Sequence, residues 1–521
     1  MKYVYFLLIY SLSFFSFCKK SETQSFILNE ELSISEIHNA FKNKTLSAQK
    51  LTEYYLNRID SLDKQGPSLN SVLTLNPDAM DIAATLDKEI QSGHFRSPLH
   101  GIPVLLKDNI DTGDKMPCTA GARAMKDSYP LQDSPLAKQL RDAGAIVLGK
   151  TNLSEWANFH SNQSSSGWSG LGGQTKNPYI LTHNPCGSSA GSGAATSANL
   201  CVFAIGTETN GSIICPSHSN GIVGIKPTVG LISRTGIIPI SHTQDTGGPM
   251  ARTVADAATA LGLLTAQDNA DDATLNPSRK ALNDYRPFLN AKGLEGKRIG
   301  YYTKPLSKDS SEHSEIMREA LKDIRAQGAI IIEIDTIIHR QASRNSFTVL
   351  LYEFKDGLNK YFKSLGPNAR VKDLEDLIDK TFTDSIEMQY HDHLLLKRAQ
   401  EKGTLQDKEY LNALAFIKKE SRENGMDKIM DTHNLDAIVA PSGSPAWITS
   451  LENGDTFGIF SSSPAAIAGY PSITLPMGQI NGLPVGISIF GKAWDEAKLI
   501  EIAYSYEQAT HHRFKPRFQT E

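Results

Sequence analysis

A series of short, continuous apolar runs constrains the fold of this chain more than any other feature. Each run has the length of one β-strand and is bounded by Gly, Asn or Asp, which are uncommon inside strands. Because the runs are apolar throughout instead of alternating, they predict strands buried on both faces of a sheet that helices cover. The predicted strands lie at residues 101–109, 145–152, 200–208, 298–302, 329–334, 435–441, 471–477 and 485–490.

Helical patterns separate several of these runs, with apolar residues recurring at helical spacing. The predicted helices start at about residues 33 and 47 and cover 77–91, 314–326 and about 494–509. Helices alternating with buried strands predict the α/β class, with one large domain over residues 33–521 built on a central sheet.

The stretch between the runs at 329–334 and 435–441 has helical patterns and almost no strand pattern. We therefore expect a helical insertion at about 340–432. A long insertion between two strands of one sheet either packs on the sheet or forms a lid over a site.

The composition is that of an ordinary globular protein, with 40% hydrophobic and 21% charged residues among 521. The net charge of −4 gives no reason to expect nucleic acid or an acidic polymer as a partner. The sequence contains neither a C-x-x-C nor an H-E-x-x-H motif, and we expect no metal or organic cofactor.

The N-terminal residues 1–20 differ from the rest of the chain. The uncharged, mostly apolar run at 3–17 is shorter than the roughly 20 residues that span a bilayer, so it fits a signal peptide better than a membrane helix. Cys18 closes the run as in a bacterial lipoprotein signal, although Phe17 is larger than the residue usual there. An uncleaved anchor and a buried helix are the alternatives. We expect export to the periplasm or a membrane anchor on lipidated Cys18, with residues 21–32 as a tether.

Two Gly/Ser-rich stretches flank the predicted strand at 200–208. PCGSSAGSG contains Ser188, and GTETNGSIICP contains Ser212. Each adjoins a predicted strand, and strand ends are where ligands bind in open α/β sheets. In acyl transfer, the carbonyl oxygen of the substrate becomes negatively charged. Small side chains let several backbone N–H groups approach and stabilise this oxyanion. Ser212 is the candidate nucleophile, and the candidate oxyanion donors are the N–H groups of Thr209, Asn210, Gly211 and Ser212.

A serine nucleophile needs a base. The chain has 14 histidines, none in a recognisable triad context. Lys107 ends the predicted strand at 101–109 and therefore points to the same edge of the sheet as the Gly/Ser stretches. The ordinary lysine pKa of about 10.4 falls toward 7 when burial disfavours the ammonium. Ser188 could then relay the proton from Ser212 to Lys107.

These segments together resemble the amidase signature family over about residues 95–265: GIPVLLKDNID, PCGSSAGSG, GTETNGSIICP and GIVGIKPTVGLISRTGIIP. The resemblance implies the amidase-signature fold, a large mixed central β-sheet covered by helices on both faces. It implies a Ser-Ser-Lys triad, with Lys107 as base, Ser188 as bridge after a cis peptide bond to Gly187, and Ser212 as nucleophile.

Segments beyond these motifs resemble the bacterial peptide amidase branch of the family: SEWANF, GGQTKNPY, SSSPAAIAGYPSITLPMG and GLPVGISIFG. The chain departs from the usual family motifs at four positions. Glu208 stands for Asp, and glycines are replaced by Cys186, Ala190 and Asn210. Asn tolerates a left-handed backbone better than most residues, so we expect the oxyanion loop to survive the change at 210.

Other polar residues near these motifs have simpler interpretations. Cys215 is interpreted as a packed thiol, since nothing near it in sequence would lower its pKa. His218 and His242 are interpreted as loop or core histidines. Asp111 and Asp245 could orient groups of the site, but capping of turns is the favoured interpretation. Export would permit a disulfide, but the sequence leaves the pairing open among Cys118, Cys186, Cys201 and Cys215.

The sequence thus predicts an exported serine amidohydrolase that acts on carboxamides, in particular the C-terminal amide of peptides, and releases ammonia. Its predicted partner is a small amide or an amidated peptide, with no nucleic acid and no obligate protein partner. Three alternatives stay open. These are an amidase of aryl, fatty-acid or nicotinamide-type amides, an amidotransferase-type glutaminase subunit, and a catalytically silent binding lipoprotein.

Overall fold

The computed structural model describes residues 31–306 and 312–520. The signal-like segment 1–20, with Cys18, and nearly all of the tether 21–32 lie outside the described residues. Export and lipidation therefore stay predictions. Within the described part of the chain, no helix is long and apolar enough to cross a membrane.

A mixed sheet of eleven strands forms the centre of the fold, and β4 and β5 form a separate small hairpin. The strands are β1 Val72–Leu75, β2 Pro103–Lys107, β3 Ile146–Thr151, β4 Trp168–Ser169, β5 Gly173–Gln174, β6 Phe203–Glu208, β7 Val223–Lys226, β8 Thr246–Ala251, β9 Arg298–Tyr302, β10 Ile330–Ile334, β11 Ala437–Pro441, β12 Ser472–Ile480 and β13 Leu483–Phe490. Their order in the sheet is β1-β3-β2-β6-β8-β7-β12-β13-β11-β9-β10. The mixed α/β class and the large central sheet are confirmed.

Every apolar run that predicted a strand contains one, but burial on both faces was wrong for the run at 329–334. Strand β10 lies at the edge of the sheet, and Ile330 at its start is 51% exposed. The sequence missed β1, β7 and β8 of the central sheet and both strands of the small hairpin, β4 and β5. Strand β8 reads TGGPMA, whose Gly and Pro residues hide its strand character.

The α-helices are α1 Ile34–Lys42, α2 Ala48–Arg58, α3 Ala79–Gln91, α4 Pro135–Asp142, α5 Ala190–Ser197, α6 Ile214–Ser219, α7 Val254–Gly262, α8 Glu312–Ala326, α9 Ala342–Ser364, α10 Leu374–Thr383, α11 Leu394–Gln400, α12 Lys408–Lys418, α13 Asp427–His433, α14 Ser463–Ala468 and α15 Glu496–Thr510. Helix α1 begins with a capping box between Ser33 and Glu36, which pairs N–H groups that the helix leaves free. Helices α9 to α13 occupy the stretch expected to be a helical insertion.

The insertion packs on loops at one edge of the sheet. One apolar cluster joins Phe354, Leu358 and Phe362 of α9 to Trp156 and Phe159. The Trp156 and Phe362 rings meet edge to face with their centres 6.3 Å apart. The insertion is therefore held against a core segment that, as described below, also lines the candidate site.

Candidate active site

Lys107 lies at the end of β2, and its side chain is fully buried. Its Nζ atom is 2.7 Å from Ser188 Oγ, 2.9 Å from Thr207 Oγ1 and 3.3 Å from Thr207 O. The carbonyl oxygen of Thr207 can only accept, so Nζ donates there. A neutral amine still has a lone pair, and Ser188 Oγ lies at hydrogen-bond distance to donate to it.

Burial lowers the pKa of Lys107 to about 7. The water-free environment disfavours the ammonium, while the negative charges of Asp245 and Glu208 oppose the shift. A lysine with this pKa is part neutral at neutral pH, which is the form that can accept a proton.

The loop that carries Ser188 begins after Asn184 and leads into α5. The expectation that this loop adjoins a strand was wrong, because a helix follows it directly. The Gly187–Ser188 peptide bond is cis. The Ser189 N–H donates to the Ser212 carbonyl oxygen at 3.2 Å, and this bond brings the two Gly/Ser loops together.

The second loop follows β6, which is parallel to its neighbour β2. The carboxyl ends of parallel strands meet at the same edge of a sheet, so the loop with Ser212 lies beside Lys107. Gly211 has φ +87°, a left-handed conformation that favours glycine. The left-handed residue is thus Gly211 and not Asn210, so the substitution of Asn at 210 needs no unusual backbone there.

Glu208 holds the end of this loop. Its Oε2 atom accepts hydrogen bonds from the Ile213 N–H at 2.8 Å and the Ile214 N–H at 3.0 Å. These N–H groups lie at the start of α6, where a helix has unpaired donors and favours negative charge. Glu208 therefore fixes the position of the turn that contains Ser212.

Asp245 fixes the other side of the loop. Its Oδ1 atom accepts from Thr209 Oγ1 at 2.5 Å, and its Oδ2 atom accepts from the Ile240 and Ser241 N–H groups, both at 2.8 Å. Burial raises the pKa of Asp245 to about 6. The interpretation as a turn cap was incomplete, because this carboxylate also holds Thr209.

Cys186 and Cys215 form a disulfide, with Cα atoms 5.8 Å apart. The interpretation of Cys215 as a packed thiol was wrong. The sequence could not pair these cysteines because the pairing depends on how the two loops approach each other. Cys118 and Cys201 are buried free thiols.

A cavity of about 340 Å3 opens beside this constellation. Its floor contains all four candidate oxyanion residues and both disulfide cysteines, and its walls contain Phe159, Trp447, Phe457 and Phe460. No lysine, arginine, aspartate or glutamate is among the described residues that line it. The cavity therefore suits an uncharged group next to Ser212 and an apolar body beyond it.

Sequence reasoning missed several residues around the site. His218 lines the cavity, where burial lowers its pKa to about 3, so it is neutral. Trp447, Phe457 and Phe460 come from a segment without a helical or strand pattern. A run of aromatic residues within a loop was the one signal that could have indicated them.

The chain is similar to known amidases over most of its length. The family model described as Amidase matches residues 50–500. The structure of a native peptide amidase from Stenotrophomonas maltophilia is similar with 46% identity and a TM-score of 0.90, covering 94% of this chain and 99% of that chain. The peptide amidase PAM, solved in complex with the competitive inhibitor chymostatin, is similar with 47% identity and a TM-score of 0.91, covering 94% of this chain and 99% of that one.

Among curated sequences, the "Probable amidase" of Arabidopsis thaliana is 40% identical over 501 residues, covering 94% of this chain and 92% of the relative. The chain therefore belongs to the amidase signature family. It is an amidase, an enzyme that hydrolyses the carbon–nitrogen bond of amides.

Proposed function

We propose that this amidase removes the C-terminal carboxamide of peptides and releases ammonia, with Ser212 as the nucleophile. The observation that carries the substrate class is the uncharged cavity beside Ser212 with its aromatic walls. A C-terminal carboxamide is neutral, and peptide side chains offer apolar surface to the walls. Similar proteins include peptide amidases, at 46% and 47% identity.

The same cavity argues against a glutaminase. Free glutamine carries an ammonium and a carboxylate on its α-carbon, and buried charges require partners. Within the described cavity lining, no charged side chain offers one.

The proposed mechanism begins with neutral Lys107 taking the proton of Ser188 as Ser188 takes that of Ser212. Ser212 Oγ attacks the carboxamide carbon, and the oxyanion accepts hydrogen bonds from backbone N–H groups within residues 209–212. The relay then returns the proton to the leaving nitrogen, and ammonia departs. Water hydrolyses the acyl-enzyme by the same relay and yields the peptide with a free carboxylate.

The deciding experiment measures ammonia release from a C-terminally amidated dipeptide, benzamide and glutamine. It uses the chain without residues 1–20, with Ser212→Ala as control. Turnover of the dipeptide amide that disappears in the variant supports both substrate and nucleophile. Turnover of benzamide or glutamine alone overturns the substrate assignment, and full activity in Ser212→Ala overturns the mechanism.

We further propose that the protein is exported and anchored by a lipid on Cys18. The Cys186–Cys215 disulfide supports export, because disulfides persist in oxidising compartments. Radiolabelled palmitate fed to expressing bacteria should label the full chain but not a Cys18→Ala variant. Equal labelling of the two, or its absence from both, would contradict the lipid anchor.

A further inference from the structure

Three buried side chains converge in the interface between the core and the helical insertion. Glu155 and His160 belong to the core segment that follows β3, and His393 precedes α11 of the insertion. One oxygen of Glu155 and one ring nitrogen of each histidine lie within 4.8 Å of one another. All three residues are at most 1% exposed.

The spacing of these atoms fits ligands of one metal ion. His160 Nδ1 is 3.2 Å from His393 Nδ1, and His393 Nδ1 is 3.9 Å from Glu155 Oε1. A tetrahedral ion with bonds of about 2.0–2.1 Å places its ligand atoms roughly 3.3 Å apart. The two nitrogens have this separation already, through a hydrogen bond in which His160 Nδ1 donates to His393 Nδ1, and the carboxylate oxygen is about 0.6 Å farther from His393 Nδ1 than a ligand atom would be.

Hydrogen bonds outside the cluster orient the atoms that face inward. His393 Nε2 is 2.9 Å from the Glu387 carbonyl oxygen and donates to it, so in the neutral ring Nδ1 carries the lone pair. The Gly170 N–H donates to Glu155 Oε2 at 2.7 Å. Histidines and carboxylates that bind metals are held in this way by their second polar atom.

The Glu155 oxygen of this cluster, Oε1, is buried and makes no hydrogen bond to the described residues. Glu387 lies beside Glu155, since both carboxyl groups approach Gly170, and Glu387 Oε2 is also buried without a partner. A buried polar atom without a partner is costly, so Glu155 Oε1 is available to an ion that the two histidines hold.

We propose that Glu155, His160 and His393 bind a divalent metal ion, for which Zn2+ is the best match because it takes imidazole nitrogen and carboxylate oxygen together. The site is structural, because it is closed to solvent and contains none of the proposed catalytic residues.

The metal would hold the insertion to the wall of the substrate cavity. Ala157, Asn158 and Phe159 line the cavity and lie between the two core ligands in sequence. His393 brings in the insertion, whose Leu350 also lines the cavity. A metal at this position therefore fixes the shape of the cavity without taking part in acyl transfer.

The sequence contains one signal for this site, the H-x-H triplet His391-Asp392-His393, which the expectation of no metal overlooked. His160 lies far from it in sequence, so only the fold brings the ligands together. His391 itself is a matched control, because its ring lies edge to face with that of His160, their centres 5.3 Å apart, but its Nε2 accepts from the Ser165 N–H.

The test is elemental analysis of the full chain, purified from zinc-supplemented medium without chelator. We expect about one Zn2+ per chain in the wild type and in His391→Gln, and loss of the metal in His160→Gln and His393→Gln. Metal-free wild type should regain thermal stability with added Zn2+. Reconstitution with Co2+ should give the visible absorption of a tetrahedral site.

The wild-type measurements keep the proposal falsifiable even if a variant fails to fold. Wild type that contains no metal and whose unfolding temperature does not change with added Zn2+ would overturn it. Metal retained in both ligand variants, or lost equally in His391→Gln, would also overturn the assignment.

Discussion

The disulfide between Cys186 and Cys215 joins the loop that carries Ser188 to the loop that carries Ser212. A backbone hydrogen bond from Ser189 to Ser212 joins the same loops at 3.2 Å. Proton transfer between two hydroxyl groups requires hydrogen-bond distance, about 2.6–3.2 Å between oxygens. The disulfide therefore helps to set the distance between the Ser188 and Ser212 hydroxyl groups, on which the proposed proton relay depends.

We expect the Cys186→Ser/Cys215→Ser double variant to lose kcat with a smaller change in KM, because the disulfide positions the relay and not the substrate. A link across 29 residues contributes about 3–4 kcal/mol to the free energy of unfolding, so the unfolding temperature should fall as well. Treating the wild type with dithiothreitol should have the same effects.

The control is Cys118→Ser/Cys201→Ser, which removes the buried free thiols and keeps the disulfide. This variant should still lose activity on reduction. Reduced wild type that is as active and as stable as the oxidised protein would show that the link is dispensable.

The pKa of Lys107 predicts the pH dependence of the reaction. Below about pH 7 the amine is protonated and cannot accept the Ser188 proton, so kcat/KM should fall about tenfold for each pH unit. Above this pH the rate should reach a plateau. The measurement is kcat/KM for an amidated dipeptide across the neutral range. A rate that is constant from acid to neutral pH would exclude Lys107 as the base.

Asp245→Asn should move this acid limb to lower pH. The negative charge of Asp245 raises the pKa of Lys107, against the larger lowering by burial. The amide removes the charge but retains an oxygen that can accept from the Ile240 and Ser241 N–H groups. The same pH profile, measured on the variant, is the test. A limb that stays in place or moves to higher pH would contradict the electrostatic coupling.

Glu208→Ala should reduce both stability and kcat. The substitution leaves the Ile213 and Ile214 N–H groups buried without their acceptor, which costs about 1–3 kcal/mol for each group. The turn with Ser212 then loses its support. Glu208→Gln is the matched control, since its amide oxygen can still accept, and it should retain more of both properties. Thermal unfolding and kcat measure the effect, and two variants that behave alike would refute this role.

Local patterns in the sequence indicate Lys107 and the two serine loops, which together form the proposed catalytic group. A strand that ends in lysine and loops of small residues can be recognised one segment at a time. The disulfide, the Asp245 contact with Thr209 and the Glu155–His160–His393 cluster each join distant segments, and no local pattern specifies them. Strand β8 was missed because its own residues are misleading: its glycines and proline are uncommon in strands. Pairing with the neighbouring strands β6 and β7 holds it in the sheet.

The aromatic wall of the cavity gives the prediction that tests the peptide substrate most directly. Phe457 is 52% exposed and lies edge to face with Trp447, their ring centres 5.0 Å apart. A substrate side chain that covers the exposed half of this ring gains about 1–1.5 kcal/mol. Phe457→Ala should therefore raise KM about 5–15-fold for a dipeptide amide with a large apolar side chain, at nearly constant kcat, because the contact is made equally in ground and transition states.

Two controls separate this contact from a general disturbance of the fold. An amidated diglycine, which has no side chain to contact the ring, should show almost the same KM with wild type and variant. Leu131→Ala removes a side chain that is 71% exposed and does not line the cavity, so it should change neither constant. Equal increases in KM for both peptides would place the side chain of the substrate elsewhere. An unchanged KM for the apolar peptide would mean that Phe457 does not contact the substrate. The aromatic wall would then no longer support a peptide as the substrate.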